Sequence, residues 1–439
     1  MEMNDFLYPK DLATEVYNFL LKETISNRFT IENLKNLFEI MYFASLKTEE
    51  SESISARIII INKDCPDPQP PERIVKDRWS YIRFKEEVEL NVQNLVKISK
   101  AADPKVSSLA VDLSNGNFVI WGMIDQEYHY YNCLLNESEI GPERPGIFEV
   151  IIESLGEISV FERYRQIASL KKNILLKKQN DVFYSGPISN KLGKYLSSYI
   201  ESEVHNVKTS SVRDIILREE WFKGELVSII CRILINIKEY RHGGAILFDP
   251  KLDDSFIDLS IKYEFTYDRI SKSLGKYISS YMQQEELEDY IHTVSSYENN
   301  ESIPYSQLID NECLKIDVKE YKNGLTGAVK FISSLTCVDG LVLFDKDLSV
   351  RGFGVEITAE KEPDVIYLAD GEDITEHNLK KLDYKHFGTR HRSMMRYCYT
   401  HAESIGFVIS QDGDIRAITN VNGKVILWDN IKFAQFLFN

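Results

Sequence analysis

An α/β fold is predicted, with a C-terminal mixed sheet flanked by helices behind an N-terminal α+β domain. Three observations point there. Downstream of Asp339, strand-length apolar runs alternate with helical-period segments, the pattern of a sheet with helices on its faces. Two helical hairpin partners and two β-hairpin signals crowd residues 1–165. At 439 residues the chain exceeds one ordinary core, and 43% hydrophobic with 11% aromatic residues is enough to fill two or three.

The elements follow in order. Leu12, Val16, Phe19 and Leu20 recur at helical spacing, and Leu34, Leu37, Phe38 and Met41 repeat the pattern behind a capping Thr30. ARIIII reads as a buried strand, and the prolines of CPDPQPPER mark a long loop. Asn115-Gly116 between two apolar runs predicts a hairpin, and FEVIIESLGEISVFE predicts another, turning near Gly156. The basic stretch SLKKNILLKKQND is expected to carry the domain boundary. Three regions result: an N-terminal α+β domain at 1–165, a middle α/β region at 166–310, and a C-terminal domain at 311–439. The middle region either stands alone or completes the C-terminal sheet.

Two pairs of segments repeat in the same order. ISNKLGKYLSSYI at 188–200 is echoed by ISKSLGKYISSYM at 270–282, and GGAILFDPKL at 243–252 by DGLVLFDKDL at 339–348. A helical stretch separates the members of each set. This predicts an internal duplication, with 166–310 as a degenerate half-repeat, against the alternative that helices and strand-turn units resemble each other by chance. The copies differ informatively: the first opens its strand with Gly243 where the second has Asp339.

A formal net charge of -16 and a pI near 5.1 repel phosphate backbones and anionic lipid, so nucleic-acid and membrane-surface binding are excluded unless charge is locally reversed. The six cysteines lie far apart without zinc-ligand spacing, which predicts reduced thiols and a cytoplasmic setting. No apolar run approaches the roughly 20 residues of a membrane span.

Charge is reversed locally around a glycine-led motif near the C-terminus. From Lys380 to Arg396 there are six Lys or Arg residues and one acid, Asp383. Gly388 and Thr389 precede a helix beginning near Arg390, so free N–H groups and the positive end of the helix dipole face the preceding loop. Arg390 and Arg392 add guanidiniums that can grip an oxyanion in two places. The plainer alternative is a solvated helix start that pairs with acidic neighbours. Asp339 likewise reads either as a turn-capping acid or as a divalent-cation ligand; with the arginines it makes what a triphosphate requires.

Asp339-Gly340 before an apolar strand, followed by Gly388-Thr389-Arg390-His391-Arg392, resembles the DGA and GTRHR motifs of the diadenylate cyclase domain. That domain condenses two ATP into cyclic di-AMP. The whole chain, including FASLKTEE, IWGM and RHGGAILF, is similar to a bacterial signalling group in which such a domain is a predicted sensor behind a long N-terminal region. The resemblance implies a diadenylate-cyclase-like fold with Asp339 as the Mg²⁺ or Mn²⁺ ligand, and Gly340, Leu341, Gly388, Thr389, Arg390, Arg392 and Ser393 around the nucleotide. Asp339, Arg390, His391 and Arg392 would be its catalytic set. It also implies ATP or a related adenine nucleotide as ligand, and a homodimer or a signalling protein as partner.

Departures from the motif weigh against turnover. Leu341 stands where cyclases have a small alanine, and Ser393-Met394 replace an Ala-Ala pair. Ser410-Gln411-Asp412 occupies the place of an SEE stretch, so one carboxylate is lost unless Asp412 substitutes. GFGVEI at 352–357 replaces an adenine-facing segment. The expectation is an adenine-nucleotide-binding sensor or effector, with an active nucleotidyltransferase as the alternative. RHGG at 241–244 is read as a tight entry turn, and DQEYHYYN at 125–132 as β surface.

Overall fold

The computed structural model describes residues 7–23, 29–66, 80–104, 107–125, 147–162, 165–171, 173–176, 182–183, 185–194, 212–296, 303–369, 374–375, 378–411, 413–429 and 431. The fold is mixed α/β, in two compact units, Met1–Gln179 and Asn180–Asn439.

In the first unit, α1 (Pro9–Lys22) and α2 (Ile31–Ser45) pack together. Each begins on a reciprocal cap: Asp11 accepts from the Tyr8 N–H at 2.7 Å, and Thr30 Oγ1 accepts from the Asn33 N–H at 3.1 Å. After a short ribbon, β1 (Thr48–Glu49) and β2 (Glu52–Ser53), come β3 (Ala56–Ile60), β4 (Ser80–Glu89), α3 (Val92–Ser99), β5 (Ser107–Ser114), β6 (Asn117–Asp125), β7 (Phe148–Ser154), β8 (Glu157–Glu162), β9 (Arg165–Lys171) and β10 (Ile174–Leu176). Among the described residues they form an eight-stranded sheet ordered β10-β9-β8-β7-β3-β5-β6-β4. β3 is central and wholly buried, as its unbroken apolar run requires.

Both expected hairpins form. Asn115 and Gly116 adopt φ of 53° and 84°, the pair of left-handed residues a two-residue turn needs, and Gly156 turns at 69°. The division between the units, after Gln179, falls within the basic stretch, part of which is also strand. The first half of the stretch pairs as strands, Ile174 opposite Lys171, because Ile167, Ala168 and Leu170 bury in the core of this unit and Lys171 pairs with Glu157 at 3.4 Å. The Tyr-rich segment at 126–132 and most of the proline loop lie outside the described residues.

The second unit begins with α4 (186–194) and α5 (Val212–Tyr240), then β11 (Gly244–Phe248), β12 (Leu259–Tyr267), α6 (Arg269–Ser296), α7 (Tyr305–Leu335), β13 (Leu341–Phe344), β14 (Val350–Ile357), β15 (Ile366–Ala369), β16 (Leu379–Leu382), α8 (Thr389–Thr400), β17 (Ile405–Ile409), β18 (Ile415–Val421) and β19 (Lys424–Trp428). The sheet, nine-stranded among the described residues, is ordered β12-β14-β13-β11-β17-β18-β19-β15-β16. It is mixed: β11 runs parallel to β13 and β15 to β19, the other pairs being antiparallel. So residues 244–267 complete the C-terminal sheet.

Alternation along the strands gives each face its own core. Ile246 and Phe248 face a cluster shared with α5, α6 and α7; Ala245 and Leu247 face one shared with Met394, Met395, Tyr397 and Cys398 of α8. Helices therefore cover both faces, with α8 alone on one side among the described helices.

The repeats meet inside this sheet. Ile246, Leu247 and Phe248 pair in parallel with Val342, Leu343 and Phe344, the residues matched by the sequence alignment of the two copies. Each strand follows a long helix, α5 or α7. The return strands break the correspondence, since β14 pairs with β13 but β12 pairs with β14 rather than β11.

Candidate functional site

One end of the second sheet collects the motif residues. Gly244, at the start of β11, pairs with Ile409, at the end of β17. Leu341, at the start of β13, pairs with Val355. Because β11 and β13 are parallel and in register, Gly243 and Asp339 precede adjacent strands at matched positions. Gln411 and the 410–414 turn return to this same end, closed by Ser410 Oγ accepting from the Asp414 N–H at 3.0 Å.

Gly340 is obligatory there. Its φ is 115°, and a Cβ would lie 2.7 Å from Gly354 Cα and 2.8 Å from Val355 N. Asp339 before it is exposed, while Leu341 after it is 5% exposed and belongs to the core on the α8 side. Leu341 fills the interior beneath the site rather than standing free in it.

α8 delivers the other motif. Gly388 is its N-cap with no side-chain cap, and the Arg392 N–H closes the first turn on Gly388 O at 3.1 Å. Asp383, the single acid of the basic segment, caps the preceding 3₁₀ turn through the Lys385 N–H at 2.9 Å. Ser393 Oγ donates to Thr389 O at 2.8 Å, which fixes both against the helix.

Successive residues of a helix diverge by about 100°, so Arg390 and Arg392 leave α8 on different sides. Arg390 reaches the sheet end: a Cβ on Gly243 would lie 2.8 Å from Arg390 Nη1, 2.9 Å from Ile409 O and 3.1 Å from Gln411 N. Arg392 instead stands one turn before Arg396, near Tyr384, whose hydroxyl lies 3.5 Å from Arg392 O. Among the described residues no carboxylate forms an ion pair with Arg390, Arg392 or Arg396. The basic segment therefore does not spend its arginines on acidic neighbours.

His391 has a different character from the arginines beside it. It is 8% exposed, and burial, then Arg416 and Arg390, lower its pKa from 6.5 to about 4. A neutral imidazole is no cation for a phosphate; it accepts from Arg416 instead, with Nε2 3.1 Å from Arg416 Nη1. Arg416 is further held by Asp429 Oδ1 at 2.7 Å and lies over the Phe387 ring. His391 thus buttresses the loop through Arg416.

Two participants escaped the sequence reading. Arg416 interrupts the apolar run of β18, and a charge inside a buried strand was the available signal. Gly243 was set aside as an entry turn. It is one, with φ of 66°, but it is also the surface against which Arg390 rests. Asp412 lies outside the described residues, and Gln411 is exposed.

Residues 27–125 match the family described as probable sensor domain DACNV. That segment covers α2 to β6 of the first unit, so a probable sensor domain is present. The match covers less than half of the chain, and the diadenylate cyclase domain itself is not matched. No curated protein and no solved structure matches the chain. Among the described residues no helix is long and apolar enough to cross a membrane.

Proposed function

We propose that the second unit binds the phosphate chain of an adenine nucleotide at the sheet end formed by Gly243, Asp339, Gly340 and Arg390, and that the chain serves as a nucleotide sensor. The carrying observation is Arg390: a guanidinium with no carboxylate partner among the described residues, seated against backbone, in a chain where Asp and Glu outnumber Lys and Arg 68 to 52. A cation left unpaired among so many acids is suited to an anionic ligand. Gly388 and Thr389 add the uncapped start of α8. Gly340 lets backbone approach closely, as ligand cradles require.

The metal fits this reading in a limited way. Asp339 is a hard oxygen donor, but among the described residues no group of three or more His, Cys, Asp or Glu is arranged to hold an ion. A Mg²⁺ or Mn²⁺ ion would therefore take most of its ligands from phosphate oxygens and water, arriving with the nucleotide. Binding without turnover is the favoured form, because Leu341 is committed to the core and Gln411 cannot supply a carboxylate. The sensor assignment rests on the domain at 27–125. Isothermal calorimetry of ATP with Mg²⁺ against wild type and Arg390→Gln tests it.

A further inference from the structure

The flank of α8 away from Arg390 carries a second pair of arginines that the nucleotide reading does not use together. Arg392 and Arg396 are one turn apart, which stacks them on one face of the helix. The Nε atom of each is buried with no hydrogen-bond partner, and neither guanidinium has a carboxylate partner among the described residues. Both residues are half-buried. A buried N–H on a charged group is a donor that folding normally satisfies.

Tyr384 borders the pair. Burial raises the pKa of its phenol, with Arg396 and Arg392 pulling the other way and Glu362 adding to the rise. It is therefore a protonated donor at neutral pH. Its hydroxyl is loosely held, 3.4 Å from Glu362 Oε1 and 3.5 Å from Arg392 O, at the outer limit of hydrogen bonding. It can turn to an incoming acceptor. Among the described residues Glu362 is turned to the phenol and forms no ion pair with either guanidinium. Lys361 lies over the ring of Tyr399, which shares the arginines' face of the helix one turn beyond Arg396.

We infer that Arg392, Arg396 and Tyr384 form a second oxyanion site on this flank of α8, separate from the Arg390 site, that takes a tetrahedral anion of the phosphate class. Two guanidiniums and a phenol present N–H and O–H donors to one small acceptor, without backbone or metal. The inference stands whether or not a nucleotide binds at Arg390, because the two arginine sets leave the helix in different directions.

Inorganic phosphate is the probe. Titrated against the full-length chain and followed by ³¹P line broadening, it should bind saturably, and Arg396→Gln should weaken that binding by about tenfold or more. Arg390→Gln should leave the Arg396-dependent part of the binding in place, whether or not phosphate also occupies the Arg390 site, since sites without shared partners behave independently. Loss of phosphate binding on Arg390→Gln with none on Arg396→Gln would assign a single site at Arg390 and overturn the inference; so would absence of phosphate binding by the wild type. Crystals of the wild type soaked in tungstate give a readout that needs no variant. A peak between Arg392 and Arg396 supports the site, and a peak only at Arg390, or none, contradicts it. Failure of ATP to bind while phosphate still depends on Arg396 would remove the nucleotide proposal and leave this one standing.

Discussion

Gly243 and Arg390 are in contact across 147 positions of sequence: a single added carbon on the glycine would lie 2.8 Å from the arginine's Nη1. The glycine comes from the first repeat copy and the arginine from the start of α8. The contact joins a turn that looks unremarkable in sequence to a basic segment of the chain. It also makes the glycine's replacement informative.

Gly243→Ala should destabilise the chain by about 1–3 kcal/mol, from the left-handed backbone and the backbone oxygen of Ile409 that cannot move aside. It should also weaken nucleotide binding by displacing Arg390. Urea denaturation and calorimetry read the two effects separately. Unchanged stability would mean that this turn is not held as described.

His391 makes stability depend on pH in a definite direction. Its folded pKa, about 4, lies below the unfolded value of 6.5, so protons prefer the unfolded chain. The contribution is fully present above pH 6.5 and is lost as pH falls toward 4, reaching at most about 3 kcal/mol. His391→Gln keeps an acceptor for Arg416 and removes the titration. Denaturation at pH 7 and pH 5 should show a smaller drop for the variant than for wild type; equal drops would contradict a buried neutral imidazole.

Arg416→Met should cost about 1.5–3 kcal/mol, the range for hydrogen bonds to charged groups. It should also raise the His391 pKa, because one of the cations that depress it is gone. The value should stay below 6.5, since burial is the larger cause and remains. Imidazole proton shifts followed through a pH titration measure both statements, and a His391 pKa unmoved by the substitution would contradict the contact.

Incubated with labelled ATP and Mn²⁺, the wild type should form little or no cyclic di-AMP. Restoring the cyclase-like residues is also less simple than the motif suggests. Leu341→Ala empties a core position and should cost about 2–5 kcal/mol, so Leu341→Ala with Gln411→Glu needs its folding checked before its products are resolved. Robust synthesis by the unmodified chain would establish the enzyme reading.

Much of this architecture was legible because local chemistry and global fold agree. Asn115-Gly116 adopts the left-handed turn its residues favour, β3 is buried as its isoleucines demand, and Gly388 starts the helix that the basic motif implies. The misreadings share a physical origin. β15 and β16, for which no strand was expected, have four residues each, too few to show a period, and the lysines of β16 suit an edge strand as well as a loop. The 165–176 hairpin hides because its buried Ile167, Ala168 and Leu170 are followed by a lysine, Lys171, that the strand keeps by pairing it with Glu157. At the site, adjacency in sequence was taken for adjacency in space: Arg390, His391 and Arg392 are consecutive, but the helix sends one to the sheet end, buries the second and turns the third toward Tyr384. The partner of Arg390, Gly243, was invisible because only the pairing of β11 with β17 and the packing of α8 bring the two together.

The central claim is an anion site centred on Arg390 at the end of the second sheet. Calorimetry of ATP with Mg²⁺ against wild type and Arg390→Gln tests it most directly. Saturable binding by the wild type, weakened by about 1.5–3 kcal/mol in the variant, is the predicted result; no binding by the wild type, or equal affinity in both, would contradict it.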